Sequence, residues 1–150
     1  MLGRALLAFG NGLLPGGLGN AVGRTCFIDR ALCSALCDGI DQLVILGAGY
    51  DCRAYRLSEL GAVRTFEVDH PDTQDRKRRL LDQLGASSRG ELRFVPVDFD
   101  QHSLEDAMAT SGFVLGLRNF FIWEGVTEYL LAESVDETMP VVRMANSSPP

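Results

Sequence analysis

The chain has 150 residues, enough for one hydrophobic core, and a formal net charge of -6 with 46% hydrophobic residues. That balance is ordinary for a soluble globular protein and excludes a general nucleic-acid binder, which would be basic. No apolar run reaches the length of a membrane span, and the short apolar piece at 5–9, closely flanked by glycines, is only a weak signal-peptide candidate, so the chain reads as cytoplasmic.

Residues 10–23 are rich in glycine and lack the Gly-Lys-Ser/Thr ending of a phosphate-binding loop. They read as a flexible leader. Residues 25–37 carry apolar side chains at Phe27, Ile28, Ala31, Leu32, Ala35 and Leu36, the spacing of a helix with one buried face. Gly39 suits the left-handed position that closes such a helix. A continuous apolar run at 43–46 then predicts a buried parallel strand. It meets Gly47-Ala48-Gly49, where the backbone can turn and approach a ligand without a Cβ clash.

A short helix is expected over 54–60 and a second strand over 62–68, ending at Asp69-His70-Pro71. Residues 71–84 read as a solvated helix, with Asp72 and Asp75 early and Arg76, Lys77, Arg78 and Arg79 later, as the helix dipole prefers. A third strand over 92–97 contains Pro96, which suggests an edge or a strand end. Ser103 is a candidate N-cap for a helix to 110. A fourth strand covers 119–123, and a last helix is expected over about 133–144, ended or kinked by Pro140. Residues 146–150 read as a disordered tail. Alternation of this kind predicts an α/β fold with about four parallel strands and helices on both faces.

The four cysteines, Cys26, Cys33, Cys37 and Cys52, read as small buried hydrophobes, because the only histidines, His70 and His102, stand alone and no metal cluster forms.

In a parallel sheet all four strand ends share one rim, where ligands of open α/β sheets bind. That rim collects Gly47 and Gly49, Glu67 and Asp69, Asp98, and Glu124. An acid about twenty residues past a glycine turn is the arrangement that holds ribose hydroxyls. The residues alone leave Glu67 and Asp69 as alternatives. Cys52 stands at the last glycine position of a dinucleotide fingerprint, and Asp51 sets a negative charge where a pyrophosphate would lie. Both favour a nucleoside cofactor without phosphate. An NAD-dependent oxidoreductase is the weaker reading.

Five segments carry a resemblance: R-T-C-F-I-D at 24–29, Q-L-V-I-L-G-A-G-Y-D-C-R-A-Y-R-L at 42–57, F-E-V-D-H-P at 66–71, V-P-V-D-F at 95–99 and W-E-G-V-T-E-Y-L at 123–130. With them the chain resembles the leucine carboxyl methyltransferase-like family of class I S-adenosylmethionine-dependent methyltransferases, which includes bacterial O-methyltransferases. The resemblance implies a Rossmann-like class I methyltransferase sheet, present in part, and S-adenosyl-L-methionine as cofactor. It implies that Arg24 reaches the cofactor carboxylate and that Gly47 and Gly49 lie beneath the methionine part. Asp69 would hold the ribose, Asp98 and Phe99 would meet the adenine, and Glu124 would lie near the amino group. No residue is singled out as a general base. The implied reaction is methyl transfer to a carboxylate or hydroxyl of a small molecule or peptide.

The resemblance also implies that the second half of the family fold is missing here. The expected organisation is a partial N-terminal cover at 1–23, the cofactor-binding half of a methyltransferase at 24–145 and a tail at 146–150. A truncated, inactive cofactor-binding remnant is the alternative. An open sheet edge would then need a partner or self-association to cover it.

Overall fold

A computed structural model describes residues 17–145. The expectations for 1–16 and for the tail at 146–150 lie outside the described residues. The chain divides into two compact units after Ala35. Helix α1 (Gly17–Cys37), all but its last two residues in the first unit, begins well before the expected start. Residues 17–23 were expected to be flexible, and they are helical. Each glycine costs a helix about 1 kcal/mol, yet extending a helix that 25–37 already nucleates adds one hydrogen bond per residue fixed.

The second unit holds a four-stranded sheet. Its elements are β1 (Gln42–Leu46), α2 (Arg53–Arg56), a 3-10 turn (Ser58–Ala62), β2 (Arg64–Asp69), α3 (Pro71–Leu84) and β3 (Leu92–Pro96). Then follow α4 (Leu104–Ser111), β4 (Asn119–Trp123), a second 3-10 turn (Thr127–Tyr129) and α5 (Ala132–Ala145). The strand order is β3-β2-β1-β4, and every pairing is parallel. The α/β, Rossmann-like expectation is met. Leu46 lies opposite both Val68 and Trp123, and Asp69 opposite Pro96, so the strand ends align on one rim.

Alternation along the strands assigns the two faces. Val44, Leu46, Phe66, Val68, Val95 and Val97 form one core cluster with Leu104 and Met108 of α4 and Val141 of α5. Each such side chain contributes about 1.5–3 kcal/mol on burial. The other face carries Glu67, which meets α3. Gln74 of α3 donates from Nε2 to the carbonyls of Glu67 and Val95, at 2.9 and 3.0 Å. At the opposite rim Gln42 is fully buried and satisfied: its Nε2 donates to Val114 O and Asn119 Oδ1, and its Oε1 accepts from Val114 N–H.

Pro96 is the last residue of an edge strand, as expected. Ser103 caps α4 by accepting from Asp106 N–H at 3.3 Å. Three further expectations need correction, and the one for Pro140, to end or kink the last helix, is narrowed. The helix expected over 54–60 is two short pieces, because Leu57 is extended (φ -92, ψ 108) and lets Leu60 turn inward. Pro140 does not end α5. Ser134, Thr138, Val141 and Ala145 form a buried stripe on one face of that helix, and this burial outweighs the one missing hydrogen bond. Lys77 was assigned to a solvated charge run, but it is 4% exposed. Cys26, Cys37 and Cys52 are exposed and none of the four cysteines is in a disulfide, so packing does not explain them. Among the described residues no helix is long and apolar enough to cross a membrane, and no group of three potential metal ligands forms.

Candidate cofactor site

The chain runs outward from β1 through β2 to β3, then returns to the far side of β1 as β4. This reversal leaves a crevice beyond the carboxyl ends of β1 and β4, the place where open α/β sheets take ligands. The turn after β1 forms its floor. Gly47 (φ 63) and Gly49 (φ 47) are both left-handed, a conformation glycine adopts without penalty. The two differ in what surrounds them. A Cβ on Gly47 would collide with the Val126 side chain, so this glycine lets the loop after β4 pack down. A Cβ on Gly49 would meet only the Gly47 carbonyl, at 3.9 Å. The backbone at Gly49 is therefore the part that a ligand can reach.

The acid at the end of β2 fastens this turn. Asp69 Oδ2 accepts from Gly49 N–H, and Asp69 Oδ1 accepts from His70 N–H at 2.6 Å. A carboxylate has about four acceptor positions, so two remain for hydroxyl donors. Glu67, the alternative left open by the sequence, is 1% exposed and directed at Lys77 Nζ, 2.6 Å away. It does not reach the rim. Burial, opposed by Lys77, raises the Glu67 carboxyl to about 7, with Asp51 and Asp69 adding to the rise.

His70 caps α3, its Nδ1 accepting from Asp72 N–H at 3.2 Å. Its Nε2 lies 3.7 Å from Asp98 Oδ2, which brings the ends of β2 and β3 together. Asp98 accepts from Asp100 N–H at 3.1 Å and from Gln101 Nε2 at 2.5 Å. Phe99 packs against the core cluster and lines a cavity of about 330 Å³ with Leu104, Thr138 and Val141.

Glu124, beyond β4, lies 3.4 Å from Arg53 Nη2. Arg53 also pairs through Nη1 with Asp51, whose Oδ1 accepts from Arg53 N–H at 2.7 Å. The guanidinium is 5% exposed and bridges the two sides of the crevice. Sequence reasoning missed Arg53. Its only local signal was its place two residues after Asp51. The bridge also corrects one inference: the Asp51 charge is matched by Arg53, so it does not by itself repel a phosphate. Arg24 lies on α1, in the first unit.

The site thus brings Gly49, Asp69, Asp98 and Glu124 to one rim. Among the described residues no lysine or arginine pairs with Asp69 or Asp98. Such a rim suits a ligand that carries hydroxyls, an amine and positive charge.

Comparison with known proteins gives the family. Residues 13–142 match the family described as leucine carboxyl methyltransferase. A Mycobacterium ulcerans protein named "Putative S-adenosyl-L-methionine-dependent methyltransferase" is 39% identical over 109 residues, 73% of this chain and 35% of its own length. The similarly named YktD of Bacillus subtilis is 37% identical over 73% of this chain and 36% of its own. A Mycolicibacterium smegmatis relative is 38% identical over 77% of this chain and 39% of its own. The chain therefore spans little more than a third of the length of these curated relatives. From the sheet order, the glycine turn and the matched residues, the chain belongs to the leucine carboxyl methyltransferase family.

Proposed function

We propose that this chain binds S-adenosyl-L-methionine and forms the cofactor-binding part of a methyltransferase that modifies a carboxylate or hydroxyl oxygen of a small molecule or peptide. The observation that carries the reading is the Asp69 carboxylate, held at the rim by Gly49 N–H and His70 N–H with acceptor positions to spare. The residues fit the group. Gly49 leaves open space for the methionine part, and the acids favour a cationic ligand.

In this reading Asp69 accepts from the ribose hydroxyls. Asp98 accepts from the adenine amine and Phe99 borders the ring. Glu124 faces the ammonium group, and Gly47 and Gly49 shape the turn below it. When bound, the cofactor supplies an electrophilic methyl on a sulfonium cation. The protein's own contribution is to orient and to exclude water, the kind of positioning that supplies much of the barrier reduction in transfer reactions. The fixed turn and the Arg53 bridge supply that rigidity here.

The test is Asp69→Ala in calorimetric titration with S-adenosylmethionine. Losing a charge-assisted acceptor costs about 1.5–3 kcal/mol, a weakening of roughly ten- to a hundredfold. Unchanged affinity would refute the ribose assignment. Binding without methyl transfer to any oxygen acceptor would support the cofactor site and count against turnover by this chain.

A further inference from the structure

Lys77 is a buried cation that the site as described does not use. Its Nζ donates to Glu67 Oε2 and to the Asp51 backbone carbonyl, both at 2.6 Å. The Tyr55 ring of α2 lies 5.8 Å from the same nitrogen. One ammonium therefore joins β2, α3 and the segment that leads from the glycine turn into α2.

Stability alone does not account for this arrangement. The side chains are 5% and 1% exposed. Glu67 Oε1 is buried without a hydrogen-bond partner. A buried ion pair with an orphaned oxygen gives up more hydration than it recovers, and apolar residues of similar volume often do as well or better. What the pair does achieve is geometric. Asp69 holds the turn at Gly49, and Lys77 holds it at Asp51. Between these two anchors Asp51 N–H closes the turn onto Ala48 O at 2.7 Å. Glu67 in turn fixes the ammonium, which would otherwise be free to follow the turn.

We propose that Lys77 is a positioning residue: through the Asp51 carbonyl it holds the 49–51 backbone in the shape that receives the methionine part of the cofactor, without touching the cofactor itself. The proposal rests on the reading of this turn as the S-adenosylmethionine cradle. It separates two halves of the ligand. The adenosine half answers to Asp69 and Asp98, and the methionine half answers to the turn that Lys77 anchors.

The experiment titrates S-adenosylmethionine and adenosine separately into the wild-type chain, Lys77→Met and the double variant Glu67→Gln with Lys77→Met. The double variant removes both charges and keeps the volume, so folding is preserved where the single variant would leave Glu67 without its counter-ion. The expected result is a double variant with a melting temperature at or above wild type, a roughly tenfold or greater loss of S-adenosylmethionine affinity, and adenosine affinity within about threefold of wild type. Equal loss for both ligands, or no loss for either, would overturn the positioning role. A wild-type chain that binds neither ligand would instead overturn the cofactor reading, an outcome distinct from failure of the Lys77 assignment.

Discussion

Gly49 N–H donates to the Asp69 carboxylate, so the turn after β1 and the acid ending β2 form one rigid unit. The two residues lie twenty apart in the chain. The acid that would hold a sugar thus also sets the backbone that would lie beneath the rest of the ligand. Distortion of either residue should be felt at both.

The two glycines of the turn should respond differently to alanine. At Gly47 the new Cβ collides with Val126 and the backbone is left-handed. A loss of about 2 kcal/mol or more is expected in chemical denaturation. At Gly49 only the conformational cost applies, about 1–2 kcal/mol, because the space above it is open. Pairing Gly47→Ala with Val126→Ala should restore part of the loss. No recovery in that pair would show that the clash is not the cause.

Stability should fall with rising pH through the window set by Glu67. Its folded carboxyl is raised to about 7 from an ordinary value of 4.5, chiefly by burial. The folded state therefore binds more protons than the unfolded state between those values. The contribution is fully present below about 4.5 and lost as pH rises through about 7. Glu67→Gln should flatten this slope in denaturation curves measured at pH 5 and pH 7.5. An identical slope in wild type and variant would contradict the assignment.

Pro140 offers a stabilising change. It stands exposed inside α5, between buried Thr138 and Val141. A proline in a helix interior costs about 3 kcal/mol relative to alanine. Pro140→Ala should raise the unfolding free energy by about 1–3 kcal/mol in urea titration. A lower melting temperature would mean that the helix depends on the proline ring for its packing.

Much of this architecture is legible in the chain. The apolar run of β1 is continuous because both of its faces are covered, and Gly47 and Gly49 mark its end. The choice between Glu67 and Asp69 is not legible, for a physical reason. Both point to the same face of β2, so alternation cannot separate them. What separates them is cover: Glu67 lies under Lys77 of α3, and Asp69 lies past it at the strand end. The burial of Lys77 was hidden by its arginine neighbours, which make the run look solvated. Arg53 meets Glu124 across 71 residues of sequence, a contact that only the folded sheet creates.

In the proposed function the carboxyl rim of the sheet, from the end of β3 across to β4, is a site for an adenosyl cofactor. Calorimetric titration of the wild-type chain with S-adenosylmethionine, S-adenosylhomocysteine and NAD tests it most directly. The two adenosyl compounds should bind and NAD should not, because Cys52 stands where a dinucleotide site requires a third glycine. Binding of NAD with no binding of either adenosyl compound would contradict the account.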